Sequence, residues 1–434
     1  MQITVSLTID LPATGDIDAV EPILLDAGRR VMAEALVGAC REYESAASSC
    51  PHCGSAILQR EGSDRRVVFA SFGRVELQLR QLRCEHCGRR FRPAERFLAP
   101  LEGANITAHL KEVAVLAGAS WPYATAAFVL GKLSGARISP ESIRQLTGRA
   151  GAEEMRRQVG RAKQVVTPTG RDVRHDRERT LAGSAEGAGR GPDLLMVGLD
   201  GGWVPSREQP GGMEGKVGVV ASDVESIGRG KRRLSRRRYV ATFGESERLG
   251  LMAYAAADEL GAEQAQRQVV LGDGAGWIKT EAGLHFPEAV KILDWPHVER
   301  AVHRAIRAAR PGRGRREERR ALHQRVPERL WHGDVAGALD DLIALRPAEG
   351  QDQVKALEEA ISYLRGQRDW LGDYAAWRDE GYPVGSGLVE RAVELVLNRR
   401  LKGWGMRWRR ANADAVAALR VHTLNQEWDD RLAA

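Results

Sequence analysis

No run of about 20 consecutive apolar residues occurs in this 434-residue chain, so no membrane-spanning helix is expected. The opening stretch, MQITVSLTIDLPATGD, lacks a basic segment followed by an apolar core. It does not read as a signal peptide, and the expectation is a cytoplasmic protein. Cysteine is scarce, at five residues, and a cytoplasmic chain does not keep structural disulfides. What cysteine there is falls into pairs. Four of the five form CPHC (Cys50, Cys53) and CEHC (Cys84, Cys87), each followed by glycine.

Two tight turns of this kind can aim four thiolates at one tetrahedral zinc ion. The intervening sequence, RRVVFASFGRVELQLRQLRC, alternates as a β-hairpin does. A structural zinc ribbon over 49–97 is therefore expected, against the alternatives of a redox pair or an incidental match. His52 and His86 lie between the cysteines as competing ligands or as exposed turn residues. Cys40 is left over and reads as a buried helical thiol.

The charge balance is basic, with 65 Lys+Arg against 58 Asp+Glu. Its distribution says more than its size. RGKRRLSRRR (229–238) holds seven basic residues in ten, arginines crowd 300–329, and NRRLKGWGMRWRR (398–410) mixes cations with aromatics. One such run is commonly a solvated face or loop. Three in separate segments point to a polyanion partner.

Residues 1–48 read as a short strand and then a helix. In 121–151, helix, turn and helix follow one another. Ser139 reads as an N-cap and Pro140 as the first helical residue. Ile143 and Leu146 then face inward, and Arg144, Gln145 and Arg149 face out as a helix-turn-helix would present them to a major groove. An ordinary helical hairpin looks the same. Residues 163–192 read as a linker or exposed arm.

From 193 the pattern becomes strands at 194–200, 216–223 and 237–243, a helix at 249–261, a strand at 268–278, a strand at 289–295 and a helix from about His297. Residues 310–380 read as all-helical, and 386–401 as a final helix. The fold class expected is multidomain, α+β and α/β. Its segments are 1–48, 49–97, 98–162, 163–192, 193–309, 310–380 and 381–434.

Within this pattern LLMVGLDGGWV (194–204) ends a buried strand on Asp200, and LGDGAGWI places Asp273 at the end of the fourth strand. Glu390 opens the final helix, where Leu388, Val389, Ala392, Val393 and Val396 would hold it to the sheet. Glu394, one turn on, competes with Glu390. Carboxylates converging from three elements repel one another unless divalent cations lie between them. Two Mg²⁺ (or Mn²⁺) ions in a phosphoryl-transfer site fit that arrangement.

This layout resembles the RNase H-like catalytic core of DDE transposases. The phrases GLDGGWV, GDGAGWIK, ILDWPHVERAVH and PVGSGLVE…RRLKGWGMRW are similar to bacterial insertion-sequence transposases of the mutator-like group, over roughly residues 45–428. The resemblance implies an enzyme that binds terminal inverted repeats of double-stranded DNA, cleaves at the element's ends and joins 3′-OH ends to target DNA. Asp200, Asp273 and Glu390 match the family's triad. Asp294 and His297 match an Asp-x-x-His of that family, or serve as a strand end and helix cap. Lys402, Arg407 and Arg409 would hold the backbone near the cut, and Trp277, Trp404 and Trp408 could stack on unpaired bases or pack in the core. A homo-oligomer is implied, because two ends must be held together.

One departure is RAVELVLN after Glu390, where a small residue and a Lys or Arg are expected soon after. Arg391 and Arg399 stand nearby. Two other readings remain open at this point: a catalytically silent or domesticated DNA-binding regulator, and a nuclease that cuts without joining.

Overall fold

A computed structural model describes residues 2–13, 15–101, 105–166, 191–226, 232–347 and 354–428. Most of the expected linker (167–190) and the start of the basic run at 229 lie outside the described residues. The chain forms two compact units, Met1–Ala150 and Gly151–Ala434.

In the first unit the expected N-terminal strand is not formed among residues 2–13. Its few apolar residues have no ladder to join. Helix α1 (Ile17–Ser45) follows, capped by Asp16, whose carboxylate accepts from Ala19 N at 3.0 Å. Strands β1 (Leu58–Ala70) and β2 (Gly73–Cys84) form a long antiparallel hairpin, with the two-residue β3 (Arg90–Phe91) beside β2. The alternation in β2 turns Val75, Leu77 and Leu79 inward, where they share a core with Val68 and with Cys40 of α1. Burial pushes the Cys40 thiol up to about 11, so this cysteine is an inert packing residue.

A single turn, α2 (Glu95–Leu98), leads to α3 (Ala108–Ser120), α4 (Tyr123–Ser134) and α5 (Pro140–Val166). Helix α4 stops at Gly135, whose φ of 73° is left-handed. Ser139 Oγ accepts from Ser142 N at 3.0 Å, and Pro140 opens α5 as its spacing predicts. The division between units falls inside α5.

The second unit is built on a five-stranded mixed sheet. Strands β4 (Leu194–Val204), β5 (Met213–Ser226) and β6 (Arg232–Thr242) are antiparallel neighbours. After α6 (Ser246–Glu259), β7 (Arg267–Gly272) returns parallel to β4. After α7 (Gly276–His285), β8 (Val290–Leu293) adds parallel to β7. The spatial order is β6-β5-β4-β7-β8.

The fourth strand is shorter than its apolar run implied. It ends at Gly272, and Trp277 and Ile278 belong to α7. Gly274 takes a φ of 85° between them and turns the chain from extended to helical.

Helix α8 (Trp295–Ala309) leads into an excursion built of helices: α9 (Arg316–Trp331), α10 (Val335–Ile343), α11 (Lys355–Gly366) and α12 (Tyr374–Asp379), with one isolated bridge between His332 and Asp373. The chain then returns as α13 (Gly387–Val393), a π-helical turn (Glu394–Asn398) and a last turn (Arg399–Leu401). Helix α14 (Arg410–Leu424) closes the unit against β6. One sheet face carries the main core with α6, α7 and α8; Leu194, Met196, Leu271 and Ile292 form the other with Tyr374 and Leu388. No helix of the described residues is long and apolar enough to cross a membrane.

Candidate functional site

Three acids stand at one end of the parallel part of the sheet. β4, β7 and β8 run the same way, and Asp200 lies two residues past the last β4–β7 pair, Gly198↔Leu271. Asp273 directly follows β7 and Asp294 directly follows β8. Side chains beyond the carboxyl ends of parallel strands are the usual place for ligand chemistry in such sheets.

Each acid has a local anchor. Asp200 accepts from its neighbour Gly201 N at 2.7 Å, and Asp273 from Ala275 N at 2.9 Å. Asp294 is fully buried: its N–H donates to Gly272 O at 2.9 Å, one carboxylate oxygen accepts from Ser386 N at 2.5 Å, and the other bonds His297 Nδ1. Both oxygens are therefore engaged. Asp294 fixes His297 on α8 and the turn from which α13 springs.

Glycine brings α13 onto β4. A Cβ on Gly202 would lie 2.8 Å from Leu397 and 3.0 Å from Val393, so any larger residue would push the Glu390 helix off the strand. Val389, Ala392, Val393 and Val396 are buried as their spacing predicts, and Leu388 is half-buried. Glu390 reaches Asp294 and His297, and Asp200 and Asp273 stand outside the group these three form. Atoms of Asp294, His297 and Glu390 lie within 4.8 Å of one another, and Arg300 Nη2 is 3.8 Å from Glu390. Its competitor Glu394 pairs with Arg399 at 3.6 Å, so Arg399 is committed one turn away.

The electrostatics bind the group together. Burial, and then the charges of Asp273 and Glu390, push the Asp200 carboxyl up to about 6, against the pull of Gly201 N–H and His297. His297 is raised by its bond to Asp294, and Asp273 adds to the shift. Carboxylates whose charges add to burial in raising Asp200 suit a hard divalent cation, which would offset both.

Two supports of this site had no signal in the sequence. Tyr363 OH of α11 donates to Asp273 O at 3.0 Å, and Gln367 Nε2 donates to Gly274 O at 2.8 Å. The helical excursion thus holds the Asp273 turn, some ninety positions away in sequence. A Cβ at Gly274 would stand 2.5 Å from Gln367.

The remaining cations and aromatics are distributed differently. Lys402, Arg407 and Arg409 are exposed on the 402–409 turn. Trp404 on the same turn is wholly exposed. Trp408 is buried, donates to Leu401 O at 3.0 Å and lies under Arg400, so it is a packing residue. Trp277 packs against the main core.

In the first unit, Cys50, Cys53, Cys84 and Cys87 form one cluster, with Sγ···Sγ separations of 3.8 Å (Cys50–Cys87) and 3.5 Å (Cys53–Cys84). Tetrahedral Zn–S bonds of about 2.3 Å require sulfurs about 3.8 Å apart, so the thiols fit zinc. The two turns repeat one pattern. Gly54 N donates to Cys50 O and Gly88 N to Cys84 O, both at 2.9 Å, and both glycines have positive φ. The backbone N–H of Cys87 holds the Cys84 thiol down at about 6, a step toward thiolate. His52 and His86 are exposed and stand outside this sulfur cluster.

Arg144, Gln145 and Arg149 are exposed on α5, but two of them are tied down. Glu141 accepts from Arg144 at 2.7 and 2.5 Å and from Gln145 at 2.9 Å, which leaves Arg149 with the more available charge.

No known protein family matches the chain, and no curated protein matches it. Among solved structures it is similar to a Drosophila P element transposase strand transfer complex, at 11% identity over 79% of this chain and 85% of that one. The TM-score of 0.24 is too low to carry an argument.

Proposed function

We propose that this chain is a DDE transposase. Its RNase H-like core (193–309 and 381–434) would be interrupted by the helical insertion, and its zinc ribbon and helix-turn-helix (49–162) would bind DNA. The observation that carries the reading is electrostatic. Asp200, Asp273 and Glu390 come from a strand, a turn and a late helix, yet the charges of Asp273 and Glu390 both add to burial in raising the Asp200 carboxyl to about 6. A purely structural cluster has no use for that repulsion.

Asp200, Asp273 and Glu390 would hold two divalent cations, which when bound neutralise charge at a phosphodiester and lower the pKa of water. The chain's own residues do the rest. Asp294 orients His297 and pins the start of α13, fixing where Glu390 stands. Arg300 balances Glu390. Lys402, Arg407 and Arg409 offer charge to the phosphate backbone of element ends and target DNA. The same site would hydrolyse the strand at the element's end and then present the 3′-OH for in-line attack on target DNA.

The test uses a supercoiled plasmid carrying the gene's own flanking DNA, with Mg²⁺ or Mn²⁺. Breaks mapping to the repeat ends, lost in Asp200→Asn, are expected. Binding without breaks would favour a DNA-binding regulator instead.

A further inference from the structure

Beyond Gly198↔Leu271, β4 has β5 on one side and no strand on the other among the described residues. From Asp200 to Val204 this free edge advances about 13 Å. It ends at a cavity of about 530 Å³, lined by Trp203, Ser206, Gly211, Gly212, Lys402 and Arg407. That volume falls within the range of small-ligand sites.

The lining is unusual for a surface groove. Trp203 is 59% exposed although it sits in a central strand, and Gly212 lies against its ring at 3.8 Å from where a Cβ would be. Gly211, at φ 81°, leaves open space where a side chain would project. The walls are rigid. Arg207 N donates to Trp408 O at 2.9 Å, Trp408 N to Pro205 O at 3.0 Å, and Arg207 Nε to Arg407 O at 3.1 Å, so the two loops are laced by their backbones. Lys402 and Arg407 are the charged residues of the lining, and both are exposed. The nearest strand carboxylate, Glu214, is opposite Trp203 in register but leans over Gly201 and pairs with Lys216 at 3.6 Å.

A held aromatic face beside two cations, with a glycine floor, is the chemistry that takes one base and its phosphates. We propose that this groove is a subsite for an unpaired nucleotide of the bound DNA, with Trp203 stacking on the base and Lys402 and Arg407 holding the flanking phosphates. Strand alternation puts Trp203 on the sheet face opposite Asp200, so the groove is separate from the acids and is reached along the free edge of β4. The inference rests on the nucleic-acid reading above and adds a preference that reading does not require.

The experiment measures binding of full-length protein, without divalent metal, to a blunt duplex and to the same duplex with a short single-stranded tail. The tail carries 2-aminopurine at successive positions. Wild type should favour the tailed duplex by about tenfold, with fluorescence quenched at one tail position. Trp203→Ala should lose both the preference and the quench while binding the blunt duplex as before. Trp203→Phe should restore most of each, and Arg407→Ala should weaken tail binding without removing the quench at saturation. Equal quenching in Trp203→Ala, or no preference for the tail in wild type, overturns the subsite. Either result leaves Asp200-dependent cleavage standing as a separate question. No binding to either DNA overturns both.

Discussion

The cysteine cluster and the acid cluster solve opposite problems. The four thiols come from one hairpin and its flanking turns, and each pair is aimed by the same backbone bonds around a positive-φ glycine. Their geometry is local, and a bound ion would supply stability. The acids come from β4, the turns after β7 and β8, and α13, and their geometry exists only once the sheet and helices have packed. There the arrangement costs stability, because burial and like charge raise Asp200. On the proposed reading one site would use metal to fold, and the other would use folding to prepare for metal.

The largest effect should come from breaking the local site. Cys84→Ser should take zinc from one ion per chain to none by mass spectrometry, with loss of amide-exchange protection in β1 and β2. Structural zinc sites contribute on the order of 10 kcal/mol in isolated fingers, so the hairpin should open. A zinc-free preparation that keeps this protection would erase the contrast between the sites.

Next comes Asp200→Asn. Cleavage should fall about 10³-fold or more, because a ligand to the reacting centre is gone. Stability should move the other way. With its pKa raised to about 6, folded Asp200 binds a proton where the unfolded carboxyl, at about 3.9, has lost it. Stability of the wild type therefore falls as pH rises from about 4 to 6, and the variant lacks this term. Thermal melts in metal-free buffer should show the wild type losing ground to Asp200→Asn across that window, with Mg²⁺ restoring it at pH 7. Parallel melting curves would sink the electrostatic argument.

A smaller loss should follow from Asp294→Asn. It weakens the hold on His297 and on Ser386 N while leaving the three proposed ligands present. Supports of this kind typically cost 10–100-fold, and raising Mg²⁺ should recover part of the activity. Smallest is Gly274→Ala, which places a Cβ 2.5 Å from Gln367 at a φ of 85°. The cost should be about 1–3 kcal/mol by denaturant unfolding. Gln367→Ala in the same chain should relieve the clash and leave about 1 kcal/mol for the backbone term.

Much of both sites could be read in advance, for physical reasons. Two C-x-x-C-G turns carry their own geometry, and Asp-Gly-Gly after an apolar run marks a place where something must come close, although the strand expected to end at Asp200 runs on to Val204 because β5 pairs with it that far. The strand–helix break at Gly272 was missed because QVVL and AGWI are both short apolar runs, and periodicity cannot separate a strand from the start of a helix over so few residues. The i,i+3 and i,i+4 spacing already commits Arg144 and Gln145 to Glu141, so an outward-facing side chain on this helix is not thereby a free one. Tyr363 and Gln367 could not be found at all. Nothing local distinguishes a tyrosine that holds a distant turn from any other in an amphipathic helix.

The chain leaves the acid site at Asp294 and comes back at Ser386, and the two ends are stitched by Trp295 N to Val384 O at 3.1 Å and Ser386 N to Asp294 at 2.5 Å. Everything between is a loop whose closure is already secured. For such a loop, doubling the length adds only about 0.6 kcal/mol of entropy. An insertion in one of its surface connections therefore adds little entropy cost, whereas its helices cannot be shed, because Leu330, Leu342 and Leu364 are fully buried in the main core. The constraint is that Tyr363 and Gln367 must still come home to the Asp273 turn.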